Sequence, residues 1–137
     1  MVERKNINRG YKKLNVWNDS IRLYRQTWQL LKNKPFELKR IASNAIDAAQ
    51  SISRNIAEGY CRRSIKEYLK HLYIALGSSG ELHSCFYSMF VTEQITEDEF
   101  NEIDVLHFQV ENELIQLVKS LERKELENDW LDRMPDK

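Results

Sequence analysis

The chain has 137 residues, of which 42% are apolar and 31% are charged, which is enough for one domain with a hydrophobic core and a solvated surface. Only four Gly and two Pro residues occur, which disfavours a β-sandwich or a β-barrel, because those folds need frequent turns. The net charge is zero, yet residues 1–71 hold 16 Lys/Arg against 6 Asp/Glu, a balance of +10, and residues 72–137 hold 5 against 15, a balance of −10. Either oppositely charged helices pair within the domain, or the two halves bind partners of opposite charge.

The N-terminal segment and the first helix open the domain. Residues 1–13 are basic and show no apolar periodicity, so they predict a flexible basic arm before a domain over residues 14–124. The first helix is predicted from about residue 15 to residue 33, and Pro35 ends it because the residue before a proline avoids the α conformation. Its apolar side chains recur at helical spacing and predict one buried stripe, formed by Trp17, Ile21, Tyr24, Trp28 and Leu31.

The second and third helices contain many small residues. Gly59 is predicted to adopt the left-handed conformation and to end the second helix. The third helix begins at Ser64, which forms a predicted capping box with Glu67. Gly77 and Gly80 lie inside the third helix, where each costs about 1 kcal/mol relative to Ala, so we expect a packing reason there, such as close contact with a neighbouring helix or a slight bend. The predicted buried stripes are Leu38, Ala42, Ala45, Ala49, Ile52 and Ile56, and then Ile65, Tyr68, Leu72, Ala75, Ser79, Leu82, Phe86 and Met89.

The fourth helix begins at Thr96, which forms a second predicted capping box with Glu99. Its apolar stripe extends from Phe100 to Leu121, and residues 125–137 predict a charged C-terminal tail. Short connections between four amphipathic helices require that consecutive helices run in opposite directions. The predicted fold class is therefore all-α, an antiparallel up-down-up-down four-helix bundle.

Polar residues at helical spacing predict a network inside the bundle. Ser51, Asn55 and Glu58 share one face of the second helix, and Ser78 and Glu81 share one face of the third. Buried polar groups must be hydrogen-bonded, so these residues, together with Gly59 and Gly77, are expected to link the two helices and to fix their register. We favour this structural network over a catalytic site, and no catalytic motif is present in the sequence.

A metal site is the alternative from the enzyme class. Di-iron bundles need two Glu-x-x-His motifs and two further Glu residues. This chain offers one Asp104-x-x-His107, with Glu58 and Glu81 as further carboxylates. His107 lies on the apolar stripe, which is more typical of a hydrogen-bonded core histidine than of a ligand. The sequence therefore predicts no catalytic residue, no metal and no cofactor.

A basic cluster surrounds the connection between the second and third helices. It comprises Arg54, Arg62, Arg63, Lys66 and Lys70, with Tyr60, Tyr68 and His71 among them. Cations with interleaved aromatic side chains are typical of surfaces that bind a phosphate backbone and unstacked bases. The alternative interpretation is an ordinary solvated face of the bundle.

Two central motifs resemble a known family. Ser51–Gly59 (SISRNIAEG) and Lys66–Leu82 (KEYLKHLYIALGSSGEL), with Leu14–Trp17 (LNVW) before them, are similar to the four-helix-bundle proteins encoded in 23S rRNA intervening sequences, also labelled the S23 ribosomal protein family. The family usually has proline and a small residue where this chain has Ser53 and Arg54.

The resemblance implies a bundle that assembles into a ring-like homopentamer. Related bundles are accessory proteins of diversity-generating retroelements, in which a basic surface engages a reverse transcriptase and nucleic acid. Those relatives are strongly basic, whereas this chain is neutral. The split of positive and negative charge also fits a head-to-tail interface between subunits.

The expected protein is a non-enzymatic homo-oligomer, a pentamer, that binds RNA or a nucleic-acid-processing partner such as a reverse-transcriptase-like protein. The alternative is a structural scaffold oligomer that binds no nucleic acid. No apolar segment approaches the ~20 residues that span a bilayer, and the N-terminus lacks the apolar segment of a secretory signal. Cys61 and Cys85 lack metal-site spacing and are typical of free thiols. We therefore expect a cytoplasmic protein without a membrane partner.

Overall fold

The computed structural model describes residues 1–128 and 130, and these residues form helices and connecting segments without a β-strand. The prediction of an all-α fold is therefore confirmed. The predicted tail falls partly outside the described residues, which lack residue 129 and residues 131–137. The helices are α1 (Asn15–Leu31), α2 (Lys39–Cys61), α3 (Ile65–Val91) and α4 (Glu97–Leu126), with two short 3-10 helices at Ile7–Lys13 and Phe36–Leu38.

Each α-helix packs against two others. The helix α1 contacts α2 and α4, and α3 contacts the same two helices; within the described part of the chain, α1 does not approach α3 and α2 does not approach α4. The most extensive packing joins α2 to α3, because the buried face of α2 contains several alanines and Gly59 and lets the two backbones come close. The predicted stripe of α3 is buried at every position, and so is that of α2 from Ala42 to Ile56.

The buried face of α1 differs from the predicted one. Ile21 and Trp28 were expected in the core, but Trp28 is 48% exposed and Ile21 also lies at the surface. The core instead receives Val16, Leu23, Ser20 and Thr27, and the hydroxyls of Ser20 and Thr27 donate to carbonyls of their own helix at 2.7 Å and 2.8 Å. Their polar groups are thereby satisfied, so these small side chains can be buried. An apolar stripe consequently remains on the outside of α1.

The N-terminal arm is more ordered than the sequence predicts. Residues 7–13 form a 3-10 helix that packs against α1 and α2, whereas a flexible arm was expected. Asn6 caps this helix, since its side-chain oxygen accepts from the Arg9 amide at 2.9 Å. Tyr11 meets Trp17 and Tyr60 edge-on, with ring centroids 5.1 Å and 6.4 Å apart. These contacts with distant residues, which local periodicity does not reveal, fix the segment.

The ends of α2, α3 and α4 follow helix-capping chemistry with one correction. The Thr96–Glu99 capping box of α4 is complete, and the Ser64 hydroxyl accepts from the Glu67 amide at 3.3 Å. Gly59, however, lies within α2 and does not end it. The left-handed residue is Arg63, with φ of 61°.

The glycines of α2 and α3 have structural roles different from those expected. A Cβ built on Gly59 would lie 2.9 Å from the Cβ of His71 and 3.1 Å from a ring carbon of Tyr68, so only glycine permits this approach of α2 to α3. A close helix contact was one of the two reasons expected for Gly77 and Gly80, but both face outward and a Cβ there meets nothing within 4 Å. The expected contact is therefore made by Gly59.

A carboxylate pair lies between α1 and α4. One Asp19 oxygen pairs with Arg22 at 2.9 Å and the other accepts from Gln109 at 3.0 Å. Glu113 lies beside Asp19, and one of its oxygens is buried without a hydrogen-bond partner among the described residues. Burial, a hydrogen bond with Asp19 and repulsion from the Asp19 charge together raise the pKa of Glu113 to about 7 from an ordinary value of 4.5.

The replacement Glu113→Gln is expected to raise the free energy of unfolding at pH 8 by about 1 kcal/mol, since the neutral amide removes the charge repulsion while solvent exposure limits the gain. The folded chain binds the extra proton between the ordinary and the raised pKa. The stability of the unmodified chain should therefore fall as pH rises from about 4.5 to about 7. Urea unfolding across this range measures both effects. Equal pH profiles for Glu113→Gln, the exposed control Glu102→Gln and the unmodified chain would contradict the prediction.

None of the helices in the described residues combines the length and the hydropathy that crossing a membrane requires.

Candidate nucleic-acid interface

The connection between α2 and α3 places the predicted basic residues at one end of the helices. It consists of residues 62–64, between the last turn of α2 and the first turn of α3. The left-handed conformation of Arg63 reverses the chain, and the Ser64 cap then starts α3. Side chains from both helices therefore flank this turn.

Lys66 and Lys70 are the most available cations of the cluster. Both side chains are exposed, and they stand one turn apart at the start of α3. Neither forms an ion pair with any residue in the described part of the chain. Their charges are therefore free for a phosphate backbone.

Arg54 and Arg62 are exposed but hold contacts on α2. Arg54 donates to the Gln50 side chain at 2.8 Å, and Arg62 forms an ion pair with Glu58 at 2.9 Å. The hydrogen bond from Arg62, followed by the nearby His71 ring, holds the pKa of Glu58 below its ordinary value. Glu58 thus compensates part of the charge of Arg62 and, more weakly, of Arg54.

Arg63 is separated from the rest of the cluster. Its guanidinium donates to the Ile7 carbonyl at 2.8 Å and lies 5.0 Å from the centre of the Tyr60 ring. The left-handed backbone at this position directs the side chain toward the N-terminal arm. The structure therefore assigns Arg63 to the junction of arm and α2, and not to the surface formed by Lys66 and Lys70.

The aromatic residues of the expected surface belong to the interior. Tyr68 and His71 are buried, and half-buried Tyr60 packs edge-on against Tyr68 with centroids 6.1 Å apart. Two of the three rings, those of Tyr68 and His71, therefore present almost no surface to an unstacked base.

The predicted polar network exists in part. The hydroxyls of Ser51 and Ser78 are 2.8 Å apart across α2 and α3, and Asn55 donates to the Ser51 carbonyl and hydroxyl at 2.8 Å and 3.0 Å. The Asn55 oxygen lies 3.1 Å from Nδ1 of His71, which must therefore carry the proton. His71 belongs to this network, although its sequence position had suggested a place in the basic surface.

Three predicted members lie at the edge of the network or outside it. Glu58 is exposed and 3.7 Å from Nε2 of His71. Glu81 is exposed and forms no hydrogen bond or ion pair with any residue among 1–128 and 130, and Gly77 faces open space. The side chain of Glu81 points away because its position on α3 faces solvent.

The residues of the alternative metal site are not brought together. His107 is buried and its Nε2 lies 2.7 Å from the Ser79 carbonyl, which can only accept, so this nitrogen donates. Asp104 instead lies 3.6 Å from His83, and Glu58 stands beside Arg62. No group of three or more His, Cys, Asp or Glu side chains with metal-site geometry occurs in the described residues.

Ion pairs between helices do not account for the opposite net charges of the two halves of the sequence. Over residues 1–128 and 130, no Lys or Arg forms an ion pair with an Asp or Glu of another α-helix. The Lys/Arg ion pairs join close neighbours in sequence, within the arm, within α1 and at the end of α2. The interpretation that oppositely charged helices pair within the domain is therefore not supported by specific contacts.

The chain was compared with protein-family models and with curated proteins. A family model described as 23S rRNA-intervening sequence protein matches residues 12–123, which include all of α1, α2 and α3 and most of α4. The comparison with curated proteins finds no match.

Proposed function

Because this chain belongs to the 23S rRNA-intervening sequence protein family, we propose that it is a non-enzymatic protein that binds RNA at the turn between α2 and α3. The proposed contact surface, here called the turn surface, consists of Arg54, Arg62, Lys66 and Lys70. The observation that carries the proposal is the unpaired charge of Lys66 and Lys70. Phosphate contacts by such cations supply most of sequence-independent binding.

We also infer that the four α-helices form an antiparallel up-down-up-down bundle. Contacts between α2 and α3 pair Ser51 with Ser78 and Asn55 with His71, so that residue numbers rise along one helix and fall along the other. The same relation holds between α3 and α4, where Tyr73 contacts Glu122 and Ser79 contacts His107. The absence of close approach between α1 and α3 and between α2 and α4, over the residues described, supports a square arrangement.

The proposed assembly is a homo-oligomer, a ring of five subunits. Exposed apolar side chains support an interface, because Ile21 and Trp28 lie on the outside of α1 and Tyr73 and Tyr87 on the outside of α3. The acidic half of the chain is likewise left without interhelical Lys or Arg partners among the described residues. A head-to-tail ring would set basic surfaces against acidic ones in neighbouring subunits.

The proposed location is the cytoplasm, where RNA is accessible and the free cysteines Cys61 and Cys85 stay reduced. A nucleic-acid-processing protein, such as a reverse-transcriptase-like enzyme, is the second partner that we propose. Its binding would use the same turn surface or the RNA that is held there.

The double replacement of Lys66 and Lys70 by Ala tests RNA binding. We expect the affinity for a structured RNA at low salt to fall about tenfold or more, and the slope of log affinity against log salt to decrease by about 1 to 2, because two phosphate contacts are lost. Filter binding across a salt series measures both quantities. The matched control replaces exposed Lys39 and Arg40, at the opposite end of α2, and should change affinity little.

Failure of the unmodified protein to bind RNA at low salt would contradict the proposal and leave the scaffold alternative. An equal loss in the Lys66/Lys70 variant and the Lys39/Arg40 control would contradict the assignment of the turn surface.

A further inference from the structure

A second basic feature lies beside the turn surface. An open cavity of about 620 Å³ is lined by residues 3–7, 9, 10, 12 and 13 on one side and by Tyr60 and Arg63 on the other. Its volume falls in the range of small-molecule sites, roughly 300–1,000 Å³. Six cations and one acid line it, namely Arg4, Lys5, Arg9, Lys12, Lys13 and Arg63, with Glu3.

Three contacts hold the arm in place around this cavity. The Cys61 thiol donates to the Asn8 carbonyl at 3.1 Å, and Arg63 donates to the Ile7 carbonyl at 2.8 Å. A Cβ on Gly10 would overlap the Tyr60 hydroxyl, so glycine permits the 3-10 helix to rest directly on this ring. These contacts hold the backbone of residues 7–10 beside the cavity before any ligand arrives, which reduces the entropy cost of binding.

The charge inside the cavity is largely uncompensated. Glu3 pairs with Lys12 at 3.4 Å, and Arg9 donates to the Arg4 carbonyl at 3.3 Å. Within the described residues, the other five cations have no acidic partner. Like charges gathered around a concave surface repel one another unless an anion occupies it.

Arg63 gives a second, independent indication. It is a non-glycine residue at φ of 61°, in a region where a side chain is strained, and its Nε is buried without a hydrogen-bond partner among the described residues. Glycine would relieve the backbone strain at this position, but it would remove the guanidinium from the wall of the cavity. The guanidinium therefore lines the cavity although the backbone conformation at Arg63 disfavours a side chain.

We propose that this cavity binds an oligophosphate group, either that of a free nucleoside triphosphate or that of a 5′-triphosphate end of RNA. The cavity is larger than a single phosphate, and five net positive charges match a chain of several phosphates. Base stacking does not contribute, because the Tyr60 ring is covered by Arg63 and meets Tyr11 and Tyr68 edge-on. The site uses residues separate from Lys66 and Lys70, so it does not rest on the proposed turn surface.

Calorimetric titration with inorganic tripolyphosphate at low salt tests the site. We expect binding to the unmodified protein and a loss of about tenfold or more in the double variant Arg4→Ala/Arg9→Ala, because two cations of the cavity are removed. The Lys39/Arg40 control should retain the affinity. Absence of tripolyphosphate binding, or equal loss in variant and control, would overturn the proposal.

Two further experiments identify the source of the oligophosphate and separate this cavity from the turn surface. Tighter binding of a 5′-triphosphate RNA than of the same RNA with a 5′-hydroxyl would assign the site to RNA ends, and equal binding of the two would assign it to free nucleotide. The Lys66/Lys70 variant should keep its tripolyphosphate affinity, and a loss there would overturn the separation of the two sites. Gly10→Ala should abolish the binding by lifting the arm from Tyr60 while the helical circular dichroism of the bundle persists; retained affinity would contradict the arm's role.

Discussion

Replacement of His107 by Ala is expected to lower the free energy of unfolding by about 3–4 kcal/mol, since it removes a buried ring together with the hydrogen bond that this ring donates to α3. The side chain is 1% exposed, and its Nε2–H donates to the Ser79 carbonyl at 2.7 Å. This bond ties α4 to α3 at the middle of both helices. Urea unfolding followed by circular dichroism gives the difference directly.

The neighbouring His83 supplies the control. Its ring lies 5.4 Å from that of His107, but its side chain is 46% exposed and its nearest acid, Asp104, is 3.6 Å away. His83→Ala should therefore cost less than about 1 kcal/mol. A similar cost for both replacements would mean that His107 is not a structural donor.

The replacement Gly59→Ala should destabilise the chain by about 1–3 kcal/mol although alanine favours helices, because overpacking outweighs propensity. The new Cβ would lie 2.9 Å from the Cβ of His71, 3.1 Å from a Tyr68 ring carbon and 3.2 Å from the Tyr68 carbonyl oxygen. These atoms belong to the buried face of α3 and cannot retreat without opening the contact with α2. Thermal and urea unfolding measure the loss.

Gly77→Ala is the matched control, because this glycine is also within a helix but faces open space. The gain in helix propensity should raise the free energy of unfolding by up to about 1 kcal/mol. Opposite signs for the two replacements are the expected result. If Gly59→Ala were neutral or stabilising, the close approach of α2 to α3 would be wrong.

The buried faces of α2 and α3 were predicted correctly, whereas the buried face of α1 was not. The stripe of the third helix repeats at three- and four-residue spacing over eight positions, so the sequence pattern favours a single buried face. The first helix offers two faces, since Trp28 keeps part of its surface in solvent while Thr27 satisfies its hydroxyl within the helix. A prediction from apolar periodicity does not consider that a hydroxyl can be hydrogen-bonded within its own helix. It therefore placed Ile21 and Trp28 in the core in place of Ser20 and Thr27.

The site was predicted only as far as helical spacing determines it. Ser51, Asn55 and Ser78 meet because residues four apart share a face of a helix. The separation of Arg63 from Lys66 depends on one backbone angle in the turn, and the burial of His71 depends on Gly59, more than ten residues away in sequence. These are tertiary effects that local sequence patterns do not encode.

Cross-linking of a structured RNA to the unmodified protein, followed by mass spectrometry of the peptides, tests the proposed binding of RNA at the turn most directly. The expected adducts fall within residues 54–70, which contain the turn surface between α2 and α3. Adducts confined to α4, or none at low salt, would contradict it.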